Sequence, residues 1–334
     1  MAQHPTGRQA VMHRLGQLAM GTLASGDYVP VSYFTPFTPQ RSQPLEDNPQ
    51  IGVEADNVLD AQPPAPGLVD ARISALAIPL CFNNLGFWLR DIFGDPAAAT
   101  GADPYTHVWT SGKEALASTL AWAEGAKHRV ANSFVGERIE IPFGQQAGFR
   151  QVRLSGPCID IQNEASFDLG TPPSALAAVQ APGAVCGIRK NGSEVARILS
   201  GSLTYQRELT NLRYAKADTQ LSSGFAAEGA SLTGEFELRA IDDTFYDYAR
   251  SAHTASGVDD WEFEWRFDPA SSSNNTFTIA VPALRFEPME RSIDTPHGRT
   301  ERFRFRGEQT AAAPLVTATL VNSQAAYTAG VESA

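Results

Sequence analysis

Apolar and polar positions alternate with period 2 in many short runs of this chain, and at two places that period switches abruptly to 3.6. Within residues 68–96, Leu76, Ile78, Leu80 and Phe82 alternate with smaller or more polar neighbours, the pattern of a half-buried strand. Leu85, Trp88, Leu89 and Ile92 then fall at i, i+3, i+4 and i+7, one apolar face of a short helix. Gly94, Asp95 and Pro96 end it, because proline cannot continue a helix. The same switch recurs in the second half. Leu232, Gly234, Phe236 and Leu238 repeat the strand face, and Ile241, Phe245 and Tyr248 the helix face. Asn83 or Asn84 can cap the first helix, and Asp242 or Asp243 the second.

A second pair of segments repeats in the same order. Glu137, Arg138, Pro142 and Gly144 recur as Glu290, Arg291, Pro296 and Gly298, with one residue inserted. Each set leads into a short alternating run (149–154 and 302–306) and then a closing strand (159–163 and 319–322). The pattern predicts a diverged tandem duplication in a mainly β chain. Residues 1–22 form an N-terminal arm, 23–170 a first domain, 171–182 a linker and 183–334 a second domain. Each domain is a β-sandwich with a flanking short helix.

Further strands are expected at 28–37, where Pro30 and Pro36 push the run to an edge, and at 105–109 and 115–123. Long strands at 129–143 and 149–163 flank a polar turn at 144–148. In the second half, 184–189 and 193–199 meet at Lys190-Asn191-Gly192, a hairpin signal. Runs at 202–209, 231–239, 261–267, 276–286 and 316–322 complete the set. Residues 38–67 and 210–229, proline-rich or polar, read as long loops at matching places.

Composition narrows the function. The net charge of −11 and only four lysines argue against a surface built to grip nucleic acid. Cys81, Cys158 and Cys186 are odd in number and lack metal spacing, which points to a reduced, cytosolic origin rather than a disulfide scaffold. No apolar run approaches the roughly 20 residues of a membrane span, and residues 1–26 lack a signal-peptide core.

Candidate chemistry mostly dissolves under inspection. His4, His13, His107, His128, His253 and His297 are scattered without zinc spacing. Gly112-Lys113 is followed by Glu where a phosphate loop needs Ser or Thr. Asp242-Asp243 reads as a helix cap, and Asp259-Asp260 as a loop before a strand. Trp261 and Trp265 alternate with charged residues, a core stripe rather than a stacking platform. No catalytic, cofactor-binding or metal-ligating residue is expected, and no cofactor.

Four stretches together resemble the major tail tube proteins of long-tailed, siphovirus-like phages. They are the strand running into an aromatic helix at 76–94, the segment TSGKEALASTLAWAEG (110–125), the long hairpin at 129–157, and the close of the chain from Leu284 to Asn322. The resemblance covers nearly the whole chain. It implies a non-enzymatic virion protein that polymerises into stacked rings, a conduit for DNA ejection, made in the host cytoplasm and located in the phage tail. The partners it implies are the chain itself and the tape measure, tail terminator and distal tail proteins. DNA transits the lumen without specific binding, and no membrane is entered. The tandem form favours trimeric rings with pseudo-sixfold symmetry.

On this view the strands around 129–163 and 276–321 line the lumen, and residues 38–67 join successive rings. Arg302, Arg304 and Arg306 would form a basic stripe opposite Phe303 and Phe305, neutralised by glutamates such as Glu290 and Glu301. The alternative is a non-catalytic carbohydrate-binding or adhesin-like β-sandwich, which needs exposed aromatic residues.

Overall fold

The computed structural model describes residues 11–46, 65–114, 116–124, 127–164, 166–195, 198–214, 220–240, 244–251, 258–268, 274–287, 299–327 and 331, and structural statements refer to these. The chain opens with β1 (Met12–Gly16), β2 (Val29–Val31), β3 (Phe34–Ser42) and a small ladder, β4 (Leu45–Glu46) with β5 (Ala65–Pro66). Next come β6 (Asp70–Pro79), helix α1 (Phe82–Phe93), β7 (Tyr105–Thr110), β8 (Ala117–Glu124), β9 (Lys127–Val135), β10 (Arg138–Gly144), β11 (Gln151–Cys158) and β12 (Asp160–Glu164). The second half holds β13 (Cys186–Lys190), β14 (Ser193–Glu194), β15 (Ile198–Leu212), β16 (Gly224–Ala240) and α2 (Thr244–Ser251). It ends with β17 (Asp259–Arg266), β18 (Thr276–Glu287), β19 (Arg299–Gly307) and β20 (Thr317–Asn322).

The protein is mainly β, with large antiparallel sheets. One sheet runs β12-β9-β8-β1-β2. The other runs β14-β13-β17-β18-β19-β16-β15-β10-β11-β6-β3, with β20 and β7 added beside β18. Strand order repeats between the halves. The set β3-β6-β11-β10 has the same internal neighbours as β15-β16-β19-β18, and β10 pairs with β15 at the join, Arg138 opposite Gln206 through Gly144 opposite Ser200. The remaining strands also correspond: β2-β1-β8-β9-β12 matches β14-β13-β17-β18-β20. The single strand β18 stands for both β9 and β10, pairing β17 and β20 early and β19 at its end.

The alternation seen in the sequence sets the core. Phe143 packs on Phe263 at 4.8 Å between ring centroids, Phe236 stacks on Phe303, and Trp265 Nε1 donates to the Pro142 carbonyl at 3.2 Å. The large sheet therefore doubles over, β17 lying across β10 and β16. Gly201 and Gly234 make room for this packing, since a Cβ at either would drive into the rings of Phe143 or Phe305. Trp261, Phe263 and Trp265 are buried as their alternation predicts, but Phe267 lies past the end of β17 and is exposed.

Helix α1 departs from the expected one-sided helix. Every residue of it is buried, its polar face included. Asp91 accepts from Arg14 Nε at 3.0 Å and from Ser118 Oγ at 3.1 Å, and Arg14 Nη2 closes a bidentate pair. The expected asparagine cap is not made. The helix N-cap is Cys81 without a side-chain bond, the Phe82 N–H donates to the Val179 carbonyl, and Asn83 Nδ2 donates to the Ala177 carbonyl at 3.0 Å. At the other end Arg207 Nη1 donates to the Ile92 carbonyl at 2.7 Å, and Gly94, at φ 85°, ends the helix where the sequence places the stop.

Four stretches differ from their expected roles. Residues 12–16, within the expected arm, are strand β1, with Met12, Arg14 and Leu15 buried, because Arg14 is needed against Asp91. Residues 38–42 continue β3, pairing with β6 through bulges that accommodate Pro39. Residues 210–212 and 224–229 are strand, since β15 and β16 form one long hairpin from Ile198 opposite Leu238 to Leu212 opposite Gly224. The expected linker at 171–182 supplies the carbonyls that hold α1 and buries Ala181. Arg14→Ala leaves a carboxylate buried without its counter-ion and should destabilise the protein by about 3–5 kcal/mol. The measurement is the urea midpoint, and Arg14→Ala combined with Asp91→Ala should recover part of the loss. Trp88→Ala, which empties a fully packed site, should cost a similar 3–5 kcal/mol or so by the same measurement.

Candidate assembly surface

The outward face of the large sheet is a ladder of charges. Along β19, Arg302, Arg304 and Arg306 are exposed while Phe303 and Phe305 point into the core. Arg302 stands opposite Glu237, and Arg304 lies between Glu235 on β16 and Glu287 on β18. Glu308 bridges Arg285 at 2.8 Å and Arg306 at 3.5 Å, and these arginines hold its carboxyl below the usual carboxylate range. The face continues through Ser200, Ser202, Thr204 and Gln206 of β15 to Glu140, which accepts from Arg138 at 3.4 Å and lies 3.6 Å from Arg153. The arginine row is therefore interleaved with carboxylates. Such a face offers phosphate groups little net charge to bind.

The neutralising residues differ from those expected. Glu301 sits on the opposite, buried face by the alternation of β19, and Glu290 lies outside the described residues. Cross-strand neighbours Glu235, Glu237 and Glu287, with Glu308, take that part.

Two sheet edges end side by side. β3 pairs only with β6 and β12 only with β9 among the described residues, and Arg41 of β3 bonds Asp160 of β12 at 2.7 Å. Between them lies a groove of about 580 Å³ that includes Pro39, Arg41, Asp70, Arg72 and Arg129. Exposed large apolar side chains gather at the two ends of the strands. Phe149 and Leu199 flank the 144–148 turn, and Phe267 follows β17 there. At the other end Leu45, Leu68 and Tyr214 surround the place where the β15–β16 turn meets the β4–β5 ladder. There Arg213 donates to the Val69 carbonyl and the Val69 N–H to the Gln220 carbonyl.

The residues weighed for chemistry are structural. His107 is buried, with Nε2 at 2.7 Å from the Gln324 carbonyl and its ring near Trp109 and Tyr327. His13 is half-buried beside His128, whereas His4, His253, His297 and Asp242-Asp243 lie outside the described residues. Asp259 accepts from Asn191 and forms an ion pair with Lys190, and the Asp260 N–H donates to Asn191, which pins the 190–192 turn. Lys113 reaches the Asp95 carbonyl. Among the described residues no acidic, histidine or cysteine cluster could hold a metal, and no helix is long and apolar enough to cross a membrane.

The family model for the phage tail tube protein matches residues 7–322. This chain belongs to the phage tail tube protein family. No curated protein matches it. The family is structural and non-enzymatic, so this member is a component of the virion tail, self-assembling into a tube alongside other tail proteins. An interleaved, charge-balanced sheet face with unpaired edges and apolar ends suits that role. The edge grooves and apolar ends were not legible in the sequence, because they arise from which strands lack neighbours.

Burial pushes the imidazoles of His107 and His13 below their ordinary value, His128 adding to the effect at His13. A base whose folded pKa is depressed contributes stability above its unfolded pKa of about 6.5 and loses it as pH falls through the folded value. Urea midpoints should accordingly drop from pH 7.5 to 5.5. His107→Asn should flatten that slope, and an unchanged slope would contradict the assignment.

Proposed function

We propose that three copies of this chain close into a ring and that the rings stack into a tail tube through which DNA passes during ejection. The β10–β15 pairing carries the reading. It joins two four-stranded sets of the same order inside one chain, so the contact that would join chains already exists between the halves. The outer strands of that series, among the described residues, are β18, whose Leu284–Glu287 stretch pairs with β19, and β3, which pairs with β6. A second copy placed relative to the first as the second half is to the first half pairs these two ends. Two sets per chain give pseudo-sixfold symmetry from three chains. The two halves then act as equivalent tube-like domains.

The interleaved arginine and glutamate face lines the bore, where a net basic stripe would hold phosphates and slow the strand. Stacking uses the two apolar ends: Phe149, Leu199 and Phe267 of one ring meet Leu45, Leu68 and Tyr214 of the next, a head-to-tail contact that repeats without closing. Residues 47–64 lie outside the described residues, but the β4–β5 ladder that brackets them in sequence lies at this end, which supports a part for the 38–67 segment in joining rings. Its partners in the tail are the tape measure, tail terminator and distal tail proteins, and synthesis takes place in the host cytoplasm. The purified protein should form rings or tubes in negative-stain electron microscopy, whereas a persistent single chain at high concentration overturns the reading. Phe149→Ser with Phe267→Ser should leave rings that stack poorly, and tubes of normal length would refute the proposed axial contact.

A further inference from the structure

Helix α1 ends in a socket built by the other half of its own chain. Its Phe93 ring packs on Tyr205 of β15 at 4.7 Å. Two residues along, Arg207 donates to the Ile92 carbonyl at 2.7 Å and to the Lys113 carbonyl at 2.8 Å. A guanidinium on the last carbonyls answers both their unmet hydrogen bonds and the negative end of the helix dipole. By strand order β3 corresponds to β15, and α2 to α1. Leu76 and Leu232 occupy the same place in the repeated strand face, and their cross-strand partners are Phe37 and Tyr205. Phe37 therefore stands where Tyr205 stands. Tyr205 is buried under α1, while Phe37 is left half-buried against Tyr33 and Trp122.

Beside Phe37 lies the groove between β3 and β12, with Arg41, Arg72 and Arg129 around it. Helix α2 shows the complementary condition. Phe245 lies against Phe236, Trp261 and Phe286 on its inner side, but Asp247 and Arg250 are exposed, whereas α1 is buried throughout. We infer that the groove between β3 and β12 receives the C-terminal turn of α2 from a neighbouring copy of this chain. Arg41, whose Nε bonds Asp160, and Arg72, whose Nη2 bonds Glu137, turn their remaining N–H groups to the carbonyl end of the helix as Arg207 does at α1, and Asp70 on the groove wall suits Arg250. The inference rests on the proposed ring and specifies the side-chain socket that accompanies its strand pairing.

Paired cysteines test it. A chain carrying Arg41→Cys and Arg250→Cys should shift on non-reducing gels from a one-chain band to two- and three-chain bands once assembled. Arg153→Cys with Arg250→Cys, which puts one thiol on the charged face instead, should stay at one chain. If Arg41→Cys impairs folding, Gln40→Cys on the same groove replaces it. Mass photometry of the same samples separates the two readings. Assembled rings with no cross-linking above the control overturn the socket alone. A wild-type chain that never exceeds single-chain mass overturns the ring and the socket together.

Discussion

Asp91 and Arg14 share a fully buried site, and the fold is arranged so that neither charge is left alone. The pair sits between β1 and α1, and the whole of α1 is buried around it. Its charged groups and helix ends are met by protein, while Asn83 Oδ1, Asn84 Oδ1 and Arg90 Nη1 lack a hydrogen-bond partner among the described residues. Its partners come from remote stretches: Arg14 and Ser118 for Asp91, the 177–179 carbonyls at its start, and Arg207 at its end. Asn322 Nδ2 and the Tyr327 hydroxyl both donate to the Phe82 carbonyl. Helix α1 can be seated only when the first strand, the connector, the long hairpin and the C-terminal segment are all in place. Such dependence on distant contacts makes for slow but cooperative folding.

Where one face of a strand is apolar and the other wet, the sequence and the structure agree. Trp261, Phe263 and Trp265, and the Phe303–Phe305 pair on β19, could be read directly because alternation is a consequence of the pleat. Strand β1 could not be read, since its central residue is a buried arginine whose partner lies in another element. The outer half of the β15–β16 hairpin was missed for a related reason. Ala226, Ala227, Glu228 and Ala230 pack against little on either side, so no apolar period marks them, and the backbone ladder to β15 holds them. Residues 171–182 looked like a linker because the small residues that let a segment press against a helix end are also those that make linkers.

The charged face divides along the same line. That Arg302, Arg304 and Arg306 share one face follows from β19 alone. Which carboxylates answer them depends on pairing with β16 and β18, and no reading of one strand supplies that. Sequence neighbours suggested Glu301, which the pleat turns inward. Cross-strand neighbours are the relevant ones, because in a sheet a residue's nearest charge commonly belongs to another strand.

Arg150 is fully buried and is held by carbonyl oxygens: Pro142 at 2.8 Å, Gly144 at 2.5 Å and Gly183 at 2.5 Å. One guanidinium thus rivets the end of β10, the turn beyond it and the stretch leading into the second half. Parting these segments would strip a buried charge of the carbonyls that hold it, which is a steep penalty for a small displacement. With β10 and β15 also zipped together, the two halves behave mechanically as one plank with no hinge between them. Any bending of an assembly made from such planks must then be taken up where one chain meets the next, and elastic compliance becomes a property of the contacts between molecules.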